Sequence, residues 1–127
     1  MSNIINTQGI NTIRFAKDIQ LYCPMGKDMY LAHINVDIVP DEEIMDYCET
    51  NAFLEKMDKA PYIIEDAVNV IYKHIEAAIK PRDLVVKIYA QSHVHMPVEV
   101  VKAMNHDCNC CPCNAATSQL QEETTNA

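Results

Sequence analysis

The residue in this chain best suited to covalent chemistry is Cys23, which stands in the run Tyr-Cys-Pro-Met at positions 22–25. A thiolate is the strongest nucleophile that proteins offer near neutral pH, so one well-placed cysteine can attack a poor electrophile. Because a free thiol is mostly protonated at neutral pH, that role requires local activation. The alternative is structural, since free cysteines commonly serve as small buried apolar residues. Cys48 fits this second role, as part of a helix core.

Histidines form a second candidate group. His93 and His95 flank Val94 on a predicted strand, which would place both imidazoles on one face. Together with His33, on the polar side of its own predicted strand, they could form a three-histidine zinc site. The other interpretation is a solvated or substrate-facing strand face, and on that interpretation we assign His93 and His95 to substrate binding.

The third group is a Cys-x-Cys-Cys-x-Cys cluster close to the C-terminus, formed by Cys108, Cys110, Cys111 and Cys113. Such density in a reducing compartment favours soft-metal binding over disulfides, so the cluster predicts a clamp for zinc or copper(I). It lacks the paired Cys-x-x-Cys spacing of a zinc ribbon. A redox-labile, unstructured tail is the alternative, in keeping with the polar residues that follow.

Composition and charge exclude several classes of protein. The 127 residues are 49% hydrophobic and 22% charged, which is typical of one soluble domain. A net charge of -8 with 10 Lys and Arg argues against a protein that coats duplex nucleic acid, but not against a base, a nucleoside or a local RNA contact. No run approaches the roughly 20 apolar residues of a membrane helix, and residues 1–11 lack the apolar core of a secretion signal. We therefore expect a cytoplasmic protein without structural disulfides.

Alternating apolar and polar residues indicate the strands. The alternation is weak over residues 12–21 and clear over 32–39, 84–90 and 94–100. These elements belong to an expected domain at residues 12–104, which lies between a flexible leader at 1–11 and a Cys-rich, then polar and disordered tail at 105–127.

Two helices are predicted between the second and third strands. Pro40-Asp41-Glu42-Glu43 is typical of a helix start, because Asp41 can cap free N–H groups and the glutamates suit the positive end of the helix dipole. Pro61 suits the first turn of a second helix, whose apolar stripe from Ile64 to Ile79 ends before Pro81. The order β-β-α-α-β-β predicts an α+β fold, with an antiparallel sheet and two helices on one face.

Four short motifs in this order resemble the QueF family of nitrile reductases. They are the Cys-Pro segment at 22–25, Val-Pro-Asp at 39–41, Ile-Glu-Asp at 64–66 and Ile-Lys-Pro at 79–81. The resemblance covers about residues 12–101 and implies a tunnelling fold that assembles into oligomeric rings. It also implies that Cys23 adds to the nitrile of 7-cyano-7-deazaguanine to form a thioimide, and that Glu65 anchors the purine. Read without the resemblance, Glu65 is an acid that favours the positive end of a helix.

Two departures from the reductase pattern favour a related branch. The segment that matches the NADPH phosphate site, residues 46–51, has no Lys or Arg, and the family's Arg-Gly-Gly is replaced by residues 93–95. The chain resembles the shorter QueF-like amidinotransferases, which act on the nitrile already placed in transfer RNA and make archaeosine. Free base, DNA and tRNA remain open as substrates. The NADPH-dependent reductase and a non-catalytic purine-binding relative remain the alternatives.

The resemblance also implies a proton donor, an Asp seven residues after the cysteine. Tyr30 occupies that position here, and the nearest acid is Asp28. Either Tyr30 donates the proton or Asp28 reaches in from the loop.

Overall fold

A computed structural model describes residues 3–104 of the chain. In chain order, its elements are β1 (Asn3–Ile5), β2 (Ile13–Cys23), β3 (Asp28–Val39), β4 (Glu43–Met45), α1 (Tyr47–Met57), α2 (Ile64–Ile79), β5 (Asp83–Gln91) and β6 (Val98–Ala103). No helix among the described residues is long and apolar enough to cross a membrane.

The main sheet is antiparallel and has four strands in the order β2-β3-β5-β6. Strand alternation sends one face of each strand against the helices, where Leu21, Ile34 and Ile88 are fully buried. The other face is open and carries polar pairs such as Arg14 opposite Asp37. Helix α1 packs on β2, and α2 packs on β5 and β6. The predicted α+β architecture, with two helices on one side of an antiparallel sheet, is confirmed.

The predicted start of the first helix is wrong. Asp41 does not cap a helix; Asp46 does, accepting hydrogen bonds from the N–H groups of Cys48 at 2.8 Å and Glu49 at 3.2 Å. The segment after Pro40 instead forms β4. Cys48 is also not in the core, because it is exposed beside the cap while Leu54 and Met57 provide the buried face.

Part of the expected leader is structured. Strand β1 pairs antiparallel with β4, with Asn3 opposite Met45 and Ile5 opposite Glu43. The Asn6 side chain then accepts a hydrogen bond from the N–H of Ile10 at 2.9 Å. Sequence patterning missed this small sheet because three-residue strands are too short to show a period.

The predicted last strand is displaced along the chain. Strand β6 begins at Val98, and residues 92–97 form the loop that connects it to β5. Pro97 has no N–H to give to a ladder, and the Val94 N–H donates instead to the Ser92 hydroxyl at 3.1 Å. His93 and His95 therefore lie on a loop, not on one face of a strand.

Candidate functional site

Cys23 is the last residue of β2 and lies at the mouth of a β-hairpin. It is the register partner of Asp28, the first residue of β3, so the turn between them contains residues 24–27. Lys27 adopts a left-handed conformation (φ 56°), and its N–H donates to the Cys23 carbonyl at 2.7 Å. The Gly26 N–H lies 3.3 Å from the Cys23 sulfur and donates to it. The turn therefore folds back over the thiol.

Two walls enclose the site: the β2–β3 hairpin is the first, and the connection between α1 and α2 is the second. It runs beside the outer edge of β2, where the Tyr22 N–H donates to the Ala60 carbonyl at 2.9 Å and the Tyr62 N–H donates to the Tyr22 carbonyl at 3.0 Å. Pro61 and Tyr22 form a parallel bridge there. Helix α2 begins two residues after Tyr62, so this pairing brings its first turn, with Glu65, close to Cys23.

Tyr30, on β3, links the hairpin to the α1–α2 connection through a side-chain hydrogen bond. Its side chain is 4% exposed, and its hydroxyl donates to the Tyr62 carbonyl at 2.6 Å. Burial raises the pKa of Tyr30 well above its ordinary range, and the negative charges of Cys23 and then Glu65 add to the effect. The geometry is consistent with these contributions, because the Tyr62 carbonyl that accepts from Tyr30 belongs to a residue paired with Tyr22, next to Cys23, and lies three residues before Glu65.

Asp28 lies on the same sheet face as Tyr30, two residues along β3, and is half-buried. One carboxylate oxygen accepts the Met29 N–H at 2.8 Å. Asp28 also lines a cavity of about 400 Å³, which Gln20, Gln91 and His93 share. The structure thus brings Cys23, Asp28 and Tyr30 together at one end of the hairpin, with Glu65 three residues beyond the Tyr62 that contacts Tyr30, and places His93 at a cavity that Asp28 and Tyr30 also line.

The other predicted site residues are not brought into this group. The His95 Nδ1 lies 2.6 Å from the Met96 carbonyl oxygen. His33 is on the open face, where it contacts Asp18 at 2.8 Å and stacks on Tyr89. Within residues 3–104, no group of three side chains could hold a metal ion, so the three histidines do not form a zinc site. The predicted cluster at Cys108, Cys110, Cys111 and Cys113 lies outside the described residues.

Sequence reasoning missed two features of this site. The sequence could have predicted that Cys23 faces Asp28. Strand alternation places Leu21 and Cys23 on one face of β2, and Asp28 and Tyr30 on one face of β3. The contribution of Tyr62 had no local signal. It acts through its backbone carbonyl, which contacts a residue 32 positions away.

Comparison with known proteins identifies the fold. The chain is similar to the crystal structure of the archaeosine synthase QueF-Like in the apo form, with a TM-score of 0.68 at 17% sequence identity. The similarity covers 74% of this chain and 93% of that one. No family model and no curated protein matches the sequence. At this identity, the similarity shows a shared fold, which agrees with the resemblance seen in the four motifs.

Proposed function

We propose that this chain is an enzyme of 7-deazaguanine nucleoside modification, which converts the nitrile of 7-cyano-7-deazaguanine to an amidine through a Cys23 thioimide. The observation that carries the proposal is the pairing of the segment leading into Glu65 with the end of β2 that carries Cys23, with Asp28 facing Cys23 across the hairpin. The fold, similar to that of an archaeosine synthase, supports the same substrate class.

In the first step, the Cys23 thiolate attacks the nitrile carbon. A C–S bond forms, one π bond of the nitrile breaks, and its electron pair takes a proton at nitrogen to give the thioimide. In the second step, ammonia or an amine adds to the same carbon. The C–S bond then breaks, the electron pair returns to sulfur, and loss of a proton from the added nitrogen leaves the amidine. No hydride is transferred.

Asp28 is the proton donor in this scheme. It faces Cys23 directly in the β2–β3 register, at the entrance where a nitrile would approach the sulfur. Tyr30 suits the role poorly, because its hydroxyl proton is already donated to the Tyr62 carbonyl and its pKa is raised further by burial. Tyr30 instead fixes the start of α2 relative to the hairpin.

Glu65 is the purine anchor. It is exposed in the first turn of α2, where a carboxylate can accept hydrogen bonds from a ring N–H and an exocyclic amine together. His93 lines the cavity that Asp28 shares, and we assign it a further contact to the substrate. His95 remains a predicted contact from the same loop.

The start of α1 favours amidine formation over NADPH-dependent reduction. In the reductase pattern this segment meets the cofactor phosphate, but here the Asp46 carboxylate accepts the Cys48 and Glu49 N–H groups. An anion at this helix N-terminus would have to displace a like charge. The reductase is therefore our second choice, and a non-catalytic purine-binding protein is the third.

The substrate is proposed to be the base within transfer RNA, bound by a cytoplasmic homo-oligomer. The outer edges of β2 and β6 are the two edges of the main sheet, and pairing between copies would cover their unpaired backbone groups. The α1–α2 connection already pairs with the end of β2, so the stretch near Ile13 is the part of that edge left for a neighbour.

The first experiment is an intact-mass measurement after incubation with 7-cyano-7-deazaguanine. We expect a mass gain of one ligand in the wild type and in Cys48→Ala, which alters a thiol outside the site, and none in Cys23→Ala. Adding ammonium should then remove the adduct and release the amidine, without NADPH. If ligand binds but no adduct forms, the non-catalytic alternative replaces the proposal. Release of an aminomethyl base that depends on NADPH would show the reductase.

A further inference from the structure

Gly26 lies close to both the Cys23 sulfur and a side chain from another loop. A Cβ built on Gly26 would lie 3.3 Å from Val94 Cγ2 and 3.7 Å from the Cys23 sulfur. The first distance is tighter than ordinary van der Waals contact, so a Cβ at position 26 would require the Val94 methyl to shift slightly. The missing side chain therefore allows a close approach of three groups: the sulfur, the Gly26 backbone and the Val94 methyl.

The close approach places a hydrogen-bond donor on the sulfur. The Gly26 N–H donates to Cys23 Sγ at 3.3 Å, and hydrogen bonds strengthen when the acceptor carries a full charge. This contact therefore stabilises the thiolate more than the thiol. No other hydrogen bond of the described residues is directed at this sulfur.

The position of the Val94 side chain is not explained by packing in the hydrophobic core. Its side chain is 56% exposed, and it stands on the β5–β6 loop, outside the cluster of buried residues. Its backbone N–H is held by the Ser92 hydroxyl at 3.1 Å, which fixes the loop where the side chain meets the hairpin turn. Contact with the Val94 side chain therefore restricts the movement of the turn at Gly26.

We propose that the Gly26 N–H activates Cys23 by donating a hydrogen bond that favours the thiolate, and that Val94 is a positioning residue that keeps this N–H on the sulfur. The role of the activated thiol in nitrile chemistry rests on the proposed function. The activation itself does not, because it is a property of the protein without substrate and can be measured with a general thiol reagent.

The direct test uses the full chain labelled with ¹⁵N-glycine. The sequence has two glycines, so the spectrum should contain two amide signals. Gly9 has no atom near its would-be Cβ and serves as the internal reference. We expect the Gly26 proton signal to move downfield as pH is raised and the thiol ionises, while Gly9 stays in place. In Cys23→Ala the pH-dependent shift should be lost.

The second measurement is the rate of Cys23 alkylation by iodoacetamide at pH 7. The tryptic peptide spanning residues 18–27 contains no other cysteine, so its modification can be followed separately. Val94→Ala should slow the reaction by about two- to tenfold, the factor that one hydrogen bond is worth. Met96→Ala, which removes an exposed side chain from the same loop, should change it less than twofold.

The possible outcomes are distinct. A Gly26 signal that does not respond to pH or to Cys23→Ala would overturn the activation. Equal alkylation rates in Val94→Ala and the wild type would overturn the role of Val94. Because no nitrile is present, both results can be obtained whether or not the protein forms an adduct with 7-cyano-7-deazaguanine.

Discussion

Replacing Tyr30 by Phe tests how much the part-buried hydrogen bond of its hydroxyl adds to the backbone pairing between the hairpin and the segment before α2. The substitution keeps the ring in the core and removes only the hydroxyl that donates to the Tyr62 carbonyl at 2.6 Å. A buried carbonyl that loses its donor costs about 1–3 kcal/mol. For a domain of this size, such a loss should lower Tm by roughly 5–15 °C.

The pH dependence of the same variant gives a second, independent reading. The pKa of Tyr30 is raised in the folded protein, so folding opposes its ionisation. The stability that comes from this group is fully present below the ordinary tyrosine pKa of about 10 and is lost as pH rises above it. The wild type should therefore lose stability above about pH 10 more steeply than Tyr30→Phe.

The assay is urea unfolding followed by circular dichroism at pH 7.5 and across the alkaline range. Tyr89→Phe is the control, because that ring stacks on His33 on the open face of the sheet, away from the site. Its free energy of unfolding should change by less than about 0.5 kcal/mol. Equal stability of Tyr30→Phe and Tyr89→Phe would refute the idea that the Tyr30 hydroxyl joins the two walls.

Three further predictions concern groups around the site and the helix layer. Asp28→Asn keeps the acceptor for the Met29 N–H but removes the proton donor, so the adduct should form about 10²–10⁴-fold more slowly. Intact mass of samples quenched at successive times measures this rate, and Tm should be unchanged. His74 stacks on Phe53 at 3.6 Å and its pKa is lowered by burial; stability should therefore fall as pH drops below about 6.5, and urea midpoints for His74→Phe should show a flatter profile. Asp46→Ala removes the α1 cap and should cost about 1 kcal/mol in urea unfolding, whereas Asp66→Ala, an exposed acid at the start of α2, should cost less.

The sequence predicts those elements whose residues repeat a pattern over many positions. Val86 and Ile88 alternate cleanly in β5, and Val68, Ile71 and Ile75 follow the helical period in α2, so both apolar faces are found where they were expected. The expected start of α2 at Pro61 is wrong, because Pro61 bridges to Tyr22 and the helix begins at Ile64. In such elements, the burial of one face determines the structure, and the pattern records that burial directly.

The sequence is less informative where local signals compete. Pro40-Asp41 and Asp46 are both acceptable helix starts, and only tertiary pairing of β4 with β1 decides between them. The site shows the same limit. Cys23 and Glu65 could be named from a motif, but the hydrogen bonds that bring their two segments together mainly end on backbone carbonyls far along the chain from their donors. Because every residue has a backbone carbonyl, the type of residue at such a position does not reveal the contact.

The pairing of Tyr22 with the α1–α2 connection also has a consequence for the order of folding. The hairpin that carries Cys23 and Asp28 closes a loop of a few residues, whereas the contact of Tyr22 with Ala60 spans 38 positions and has a higher entropic cost of closure. The turn can therefore form while the second wall is still absent, and the thiol passes through a stage of greater exposure before the connection docks. Pulse labelling of Cys23 during refolding should show a brief burst of reactivity, and its decay would time the completion of the site.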